Sequence, residues 1–320
     1  MQQRLLYIDV AKAIGLCLVI LSHSVCPNLA IFASGCFVAI FFVASGYTTH
    51  TINLKKKAKR LLLPYVLFSV AFVMLFIIKI TRRGPTHEGI IENLIGILYS
   101  RYAIYPLGSE NNIFLMQAGN APMWFLTSMF TAYVALKPLF VRLKLRGVLF
   151  CVYLMLTWLL NKLPILLPWS LDTAFLLAIF IYAGFVSRNT GILDCNKWWL
   201  WIIVVIVYGI TVCLNGYENL SVREYGNSIL LNLVAGILGS LLIIKGSMWL
   251  SKYKIGDMLA CIGQSSLTIF CVQMPLLVGV NFLCGSMFPN AIVALIQVIT
   301  TIVLGYMIAV VAHRIIPKIL

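Results

Sequence analysis

Charge is what this sequence has least of. Only 10% of its 320 residues are charged, and Asp plus Glu number nine. A soluble globular domain is about one quarter charged, so a soluble enzyme is excluded, as is a solvated disordered chain. Cys-x-x-Cys spacing is absent and the cysteine count is an odd nine. Most of those thiols lie inside apolar runs. They read as small buried hydrophobes, which excludes a zinc site or a disulfide-stapled secreted module. The strict alternation of a membrane β-barrel is missing as well. What is present is apolar: 62% of residues are hydrophobic and mean hydropathy is +1.00. An all-α, polytopic membrane bundle follows, because each crossing of about 30 Å of hydrocarbon takes roughly 20 apolar residues.

Ten candidate spans are expected, at approximately 8–27, 29–48, 61–80, 121–141, 147–162, 172–187, 198–215, 227–246, 258–279 and 290–312. Pro164 and Pro168 mark a turn between the fifth and sixth. No internal repeat or soluble insert is evident, so residues 1–320 are expected to form one transmembrane domain. The first run carries Asp9, Lys12 and His23 and has no small-residue cleavage site, unlike a removable leader.

Lys plus Arg number 24, for a formal charge of +15. On a soluble chain that excess would suggest nucleic acid. Here its distribution explains it, and no nucleic-acid partner is expected. With the N-terminus inside, sixteen cations fall in inner segments and six in outer ones: Lys79, Arg82, Arg83, Arg101, Lys162 and Arg223. The positive-inside rule then places both termini in the cytoplasm of a multi-pass protein of the cell (inner or plasma) membrane. The longest loop, roughly 81–120, is expected outside. Its apolar piece Gly89–Tyr99 has the length of an interfacial amphipathic helix.

Ionisable groups inside a span are costly and default to functional candidates. Asp9, Lys12 and His23 share one stripe of the first span, since eleven residues at 100° each return to within about 20° of the starting face. Asp9 sits one turn from Lys12 near the inner surface. His23 is expected deep, near the midplane or in the outer half, and is the single histidine of four in a span interior. Its ordinary titration range suits proton transfer. A hydrogen-bonded core histidine satisfies the same pattern. Ser45-Gly46-Tyr47 ends the second span, where Gly46 admits close approach of another backbone or a ligand. Lys55, Lys56, Lys57, Lys59 and Arg60 put five cations within six residues beside the membrane. Such a cluster binds anionic lipid headgroups or a phosphorylated ligand.

Taken together, YIDVAKAIGLCLVILSHS, FFVASGY, KRLLLPY, APMWFLTSMF, LPWSLDTAFLLAIFIYAGFVSRN and CIGQSSLTIFCVQMPL resemble the acyltransferase-3 family of membrane-bound acyltransferases, closest to its fucose 4-O-acetylase-like branch. They run in order from residue 7 to residue 276. The resemblance implies about ten spans and an O-acetyltransferase. Such an enzyme takes acetyl from cytoplasmic acetyl-CoA, a donor substrate rather than a bound cofactor, to a sugar hydroxyl of a surface or exported glycan. His23 matches the family's essential histidine and, with Asp9, is a catalytic candidate. Lys12, Ser45, Gly46, Tyr47, Lys59 and Arg60 are the acyl-CoA-binding candidates, Pro64 completing the basic-then-proline motif. Trp124, Ser265 and Gln273 are expected to line the site, and no metal is implied. Two positions depart from the pattern. Lys12 stands where much of the family has arginine and lacks its bidentate fork, and Gln273 stands near where many relatives have histidine.

The chemistry agrees with the family. Transfer to an alcohol needs a base for its proton and positive groups for the oxyanion. The pantetheine arm would thread inward from phosphates that stay in the cytoplasm. A transporter or flippase of a lipid-linked sugar is the alternative, but paired broken helices in matching halves are not evident. A sensor or scaffold of a cell-envelope complex is a third, and would function without His23.

Overall fold

The computed structural model describes residues 5–33, 35–83, 90–106, 121–141 and 145–315. Among these the chain is all-helical, with one isolated bridge between Asn219 and Glu224. The helices are α1 (Leu6–Ser22), α2 (Ala39–Tyr47), α3 (Leu54–Arg83), α4 (Ile90–Tyr99), α5 (Trp124–Val141), α6 (Arg146–Asn161), α7 (Ala174–Thr190), α8 (Trp198–Asn215), α9 (Ile229–Leu250), α10 (Lys254–Gln264), α11 (Ser266–Cys284) and α12 (Asn290–Ile315). Five of them, α5, α8, α9, α11 and α12, are long and apolar enough to cross a membrane, while α6 and α7 are shorter apolar helices. The surface of α8 is almost wholly exposed, yet it presents Trp198, Trp199, Ile202, Ile203, Ile206 and Ile210. Lipid is the solvent that suits such a face. All nine cysteines are free thiols.

Three expected segments differ in the structure. The first helix stops at Ser22 rather than running to 27. The Ser22 and Ser24 hydroxyls bond back to the carbonyls of Val19 and Leu21, competing with the helix, and Pro27 then removes a donor. The segment 29–48 is not one helix: a 3-10 turn at Pro27–Ala33 gives way to a nine-residue α2. Gly35, at φ +83, turns the chain there with no room for a side chain, because Ala235 and the Glu218 carboxylate stand against it. The segment 258–279 is divided between α10 and α11 at Ser265. The KKKAKR run is not a loop, since α3 begins at Leu54 and carries it in its first two turns. The expected outer loop lies partly outside the described residues (84–89 and 107–120, with Glu110), as does 142–144 of the expected inner 142–146 loop.

The chain forms two compact units. The first, comprising residues 1–50, 180–218 and 225–315, packs α1 against α9, α10, α11 and α12, α2 against α9, and α8 against α9. Glycines set its closest approaches. A Cβ on Gly46 of α2 would overlap the Ile181 carbonyl, and one on Gly184 of α7 would overlap the Val43 carbonyl. This reciprocal pair brings two backbones into contact, as small residues do between membrane helices.

The second unit, comprising residues 51–179, 219–224 and 316–320, packs α3 against α4 and α5, and α5 against α6. The Tyr65 hydroxyl of α3 donates to the Ile97 carbonyl of α4 at 2.6 Å. Two fully buried groups hold its loops, Arg101 and Asp172, joined by a guanidinium–carboxylate pair. Arg223 adds a second guanidinium to Asp172 at 3.4 Å. The remaining donors are spent on loop carbonyls: Arg101 on Leu167 and Ser221, and Arg223 on Leu160, Leu163 and Ile165. Arg101 and Arg223, counted from sequence as outer topology charges, are thus buried structural donors, because Asp172 meets them from a distant part of the chain.

Candidate functional site

The first unit holds most of the expected site residues. At the beginning of α1, Lys12 Nζ donates to Asp9 Oδ1 at 3.2 Å, with Asp9 buried and Lys12 about a quarter exposed. Gly263 of α10 lies against the Asp9 backbone so closely that a Cβ there would overlap the Asp9 carbonyl. Ser265 follows two residues later, buried at the α10–α11 break. Its place beside the Asp9–Lys12 end follows from the Gly263 contact.

His23 sits at the other end of α1, where it is the capping residue. Its side chain is exposed, and the helix ends one residue before it rather than running on to 27. Fourteen residues separate it from Asp9, about 21 Å along the axis. Asp9 therefore acts on Lys12 and does not touch His23. The imidazole folds back so that Nδ1 lies 2.7 Å from the Val19 carbonyl, with the Ser22 hydroxyl at 3.4 Å. A carbonyl only accepts, so Nδ1 carries the hydrogen in this contact. In the neutral ring the lone pair is then on Nε2, the nitrogen away from the helix. A base oriented this way resembles those fixed through their other nitrogen in known sites.

Ser45, Gly46 and Tyr47 form the last turn of α2. The Ser45 carbonyl accepts the Thr48 and Thr49 hydroxyls at 3.1 and 2.7 Å. The close approach at Gly46 is by backbone, that of Ile181. Tyr47 meets Tyr7 edge-on, and the Tyr7 hydroxyl donates to the Tyr47 oxygen at 3.2 Å. Arg188 of α7 donates to the Tyr47 carbonyl at 3.1 Å and holds its guanidinium 5.7 Å from the ring. Tyr7 and Arg188 are absent from the sequence-based set. Arg188 looked like one more topology charge, and the signal that singles it out is Gly184, one turn earlier, where α7 meets α2.

Gln273 is fully buried in α11, and neither its amide nitrogen nor its oxygen has a hydrogen-bond partner. The second unit holds the rest. Lys59 and Arg60 are exposed on the first turns of α3, where Lys57 Nζ lies 3.7 Å from the centre of the Tyr133 ring. Trp124 opens α5, buried edge-on against Phe125. Among the described residues no cluster of His, Cys, Asp and Glu has metal-binding geometry.

The family described as an acyltransferase domain matches residues 5–312. The chain belongs to the acyltransferase-3 family. No curated protein and no solved structure matches it. Acyltransferase-3 membership, together with the apolar helices, makes this protein a membrane acyltransferase. Acyl transfer needs proton movement at the incoming nucleophile. The acyltransferase's α1 supplies a suitably oriented imidazole at one end and a cation at the other.

Proposed function

We propose that this protein is an integral membrane O-acetyltransferase of the fucose 4-O-acetylase-like kind. It moves acetyl from cytoplasmic acetyl-CoA to a sugar hydroxyl of a surface or exported glycan. The reading takes residues 1–320 as one domain with about ten membrane crossings and both termini in the cytoplasm of the cell's inner or plasma membrane. The observation that carries it is the His23 imidazole, whose Nδ1 is committed to Val19 and whose Nε2 is left for a substrate. The acceptor hydroxyl gives its proton to Nε2 as its oxygen attacks the thioester carbonyl. The C–O bond forms, the C–S bond breaks, and the departing CoA sulfur takes the proton back from the imidazolium. The donor-binding groups in this reading are Lys12, the Ser45–Tyr47 turn and Arg188 beside it in the first unit, and Lys59 and Arg60 in the second. Trp124, Ser265 and Gln273 line the path, and membrane lipids share the basic surface of α3.

Acetyl transfer from labelled acetyl-CoA into glycan, followed by mass spectrometry of the product, tests the reading. Wild-type membranes should add the mass of one acetyl group per acceptor, and His23→Gln membranes at matched protein level should not. Translocation of a lipid-linked sugar with no acetyl added would replace this function with the flippase alternative.

A further inference from the structure

Two buried polar side chains on facing helices of the first unit stand without hydrogen-bond partners. Several buried helical hydroxyls bond back to a carbonyl one turn earlier: Thr157, Thr211, Ser240 and Ser247 do so at 2.6–2.8 Å. The Thr301 hydroxyl, fully buried in α12, has no partner. The Gln273 carboxamide, fully buried in α11, has none at either atom. In hydrocarbon an unpaired polar group costs several kcal/mol.

These two residues face each other by register. Gln297 of α12 donates to the Leu277 carbonyl of α11 at 2.9 Å, and Gly305 lies against Ile269. The helices are therefore antiparallel there. Gln273 is four residues from both Leu277 and Ile269, and Thr301 is four from both Gln297 and Gly305. The same stripe reaches the His23 end of α1, because the Gln297 side-chain oxygen accepts the Val25 backbone N–H at 3.0 Å. From that contact to the Gln273–Thr301 level is one helical turn, about 6 Å.

We propose that Gln273 and Thr301 are a binding site for a secondary amide of the acyl-CoA pantetheine arm, held while the thioester is at His23. The proposal rests on the donor assigned under Proposed function. A pantetheine thioester has an amide nitrogen three bonds from its sulfur, about 4 Å away by ordinary bond lengths, and that amide's carbonyl is one bond further. That reach is of the same order as the one turn between the unpaired pair and the Val25–Gln297 contact, two residues beyond His23. The pairing is also complementary. An amide offers one donor and one acceptor, and a carboxamide with a hydroxyl supplies both in return. The site reads the arm rather than the acyl group or the nucleotide.

The test uses the full-length protein in detergent with four thioesters: acetyl-CoA, S-acetylpantetheine, S-acetyl-N-acetylcysteamine, and the S-acetyl derivative of a mercapto alcohol without an amide. Wild type should use and bind the cysteamine compound roughly tenfold better than the amide-free one. In Gln273→Leu/Thr301→Val that preference should vanish, while the melting temperature holds or rises because two unpaired groups have been removed. Binding is read separately, by thermal shift. Failure of all transfer with amide-dependent binding intact would sink the transferase reading and leave this site standing. A double variant that kept the amide preference would overturn the site. So would one that lost several degrees of stability with the preference unchanged, since the pair would then be bonded within the protein.

Discussion

The buried charges of the second unit and the polar groups around α1 in the first are built on opposite plans. Asp172 receives two guanidinium groups and a backbone N–H from Leu167, and both arginines spend their other donors on carbonyls. Among the described residues, the four non-glycine positions with positive φ belong to this unit: Arg223 is in the cluster, Ser100 precedes Arg101, and Trp169 and Ser170 precede Asp172. Strained backbone persists where its surroundings over-determine it, and the saturated cluster does that. Around α1, by contrast, His23 turns Nε2 away from the helix, Lys12 keeps about a quarter of its side chain exposed beside Asp9, and the buried polar atoms of Gln273 and Thr301 have no partners. Saturation marks the groups that hold the loops of the second unit, whereas the substrate contacts proposed in the first are groups whose hydrogen-bonding capacity is unspent.

The comparison breaks most severely at His23. His23→Gln keeps a hydrogen-bonding group at the cap but no base, so acetyl turnover should fall by about 10²–10⁴ with melting temperature unchanged. Wild-type initial rates in that variant would return His23 to a helix-capping role. Asp172→Asn attacks the other side. It strands two buried guanidinium groups and should cost about 3–5 kcal/mol, seen as a large drop in melting temperature in detergent. A drop no larger than that of an exposed charge substitution would show the cluster to be solvated.

Gly46→Ala is expected next, at about 1–3 kcal/mol, because the new methyl falls on the Ile181 carbonyl. Gly209→Ala, where nothing lies within 4 Å, is the control and should lose nothing. Glu218, in the loop after α8, sharpens the comparison by pH. Burial pushes its carboxyl up to about 7, against the hydrogen bond from Asn215. An acid whose folded value is raised favours folding in its protonated form. Stability from this residue is therefore greatest below the ordinary carboxyl range and declines as pH rises to and through about 7. Glu218→Gln should flatten that slope, by about 1–3 kcal/mol, in melting temperatures taken from pH 5 to 8. The smallest effect is expected at Arg60, exposed on α3. Arg60→Ala should raise the apparent acetyl-CoA KM a few-fold, and Arg60→Lys should recover part of it, whereas Lys12→Arg should be tolerated. An unchanged KM would leave the α3 cations to lipid headgroups.

The helices easiest to read from sequence were α8, α9 and α12, whose ends fall within a few residues of the expected spans, because uninterrupted apolar runs long enough to cross a membrane have one stable form there. The break between 27 and 39 was not legible. Its residues stay apolar throughout, and what turns the chain is Gly35 pressed between Ala235 and Glu218, both some 200 positions away. Of the candidate site, His23, Asp9 and Lys12 could be placed on one helix by counting. Counting did not show that the helix ends at Ser22, which makes His23 its capping residue.

By itself the sequence determined the class of solvent, the helical fold and the family, since each of these depends on composition or on spacing along continuous segments. The tertiary structure alone decided which polar groups are spent and which are spare. Arg101, Asp172 and Arg223 look like three unrelated loop charges until they meet, and Gln273 and Thr301 like two ordinary helix residues until their register makes them neighbours without partners. Hydrogen bonding and desolvation are pairwise costs, settled only when distant segments are brought into contact.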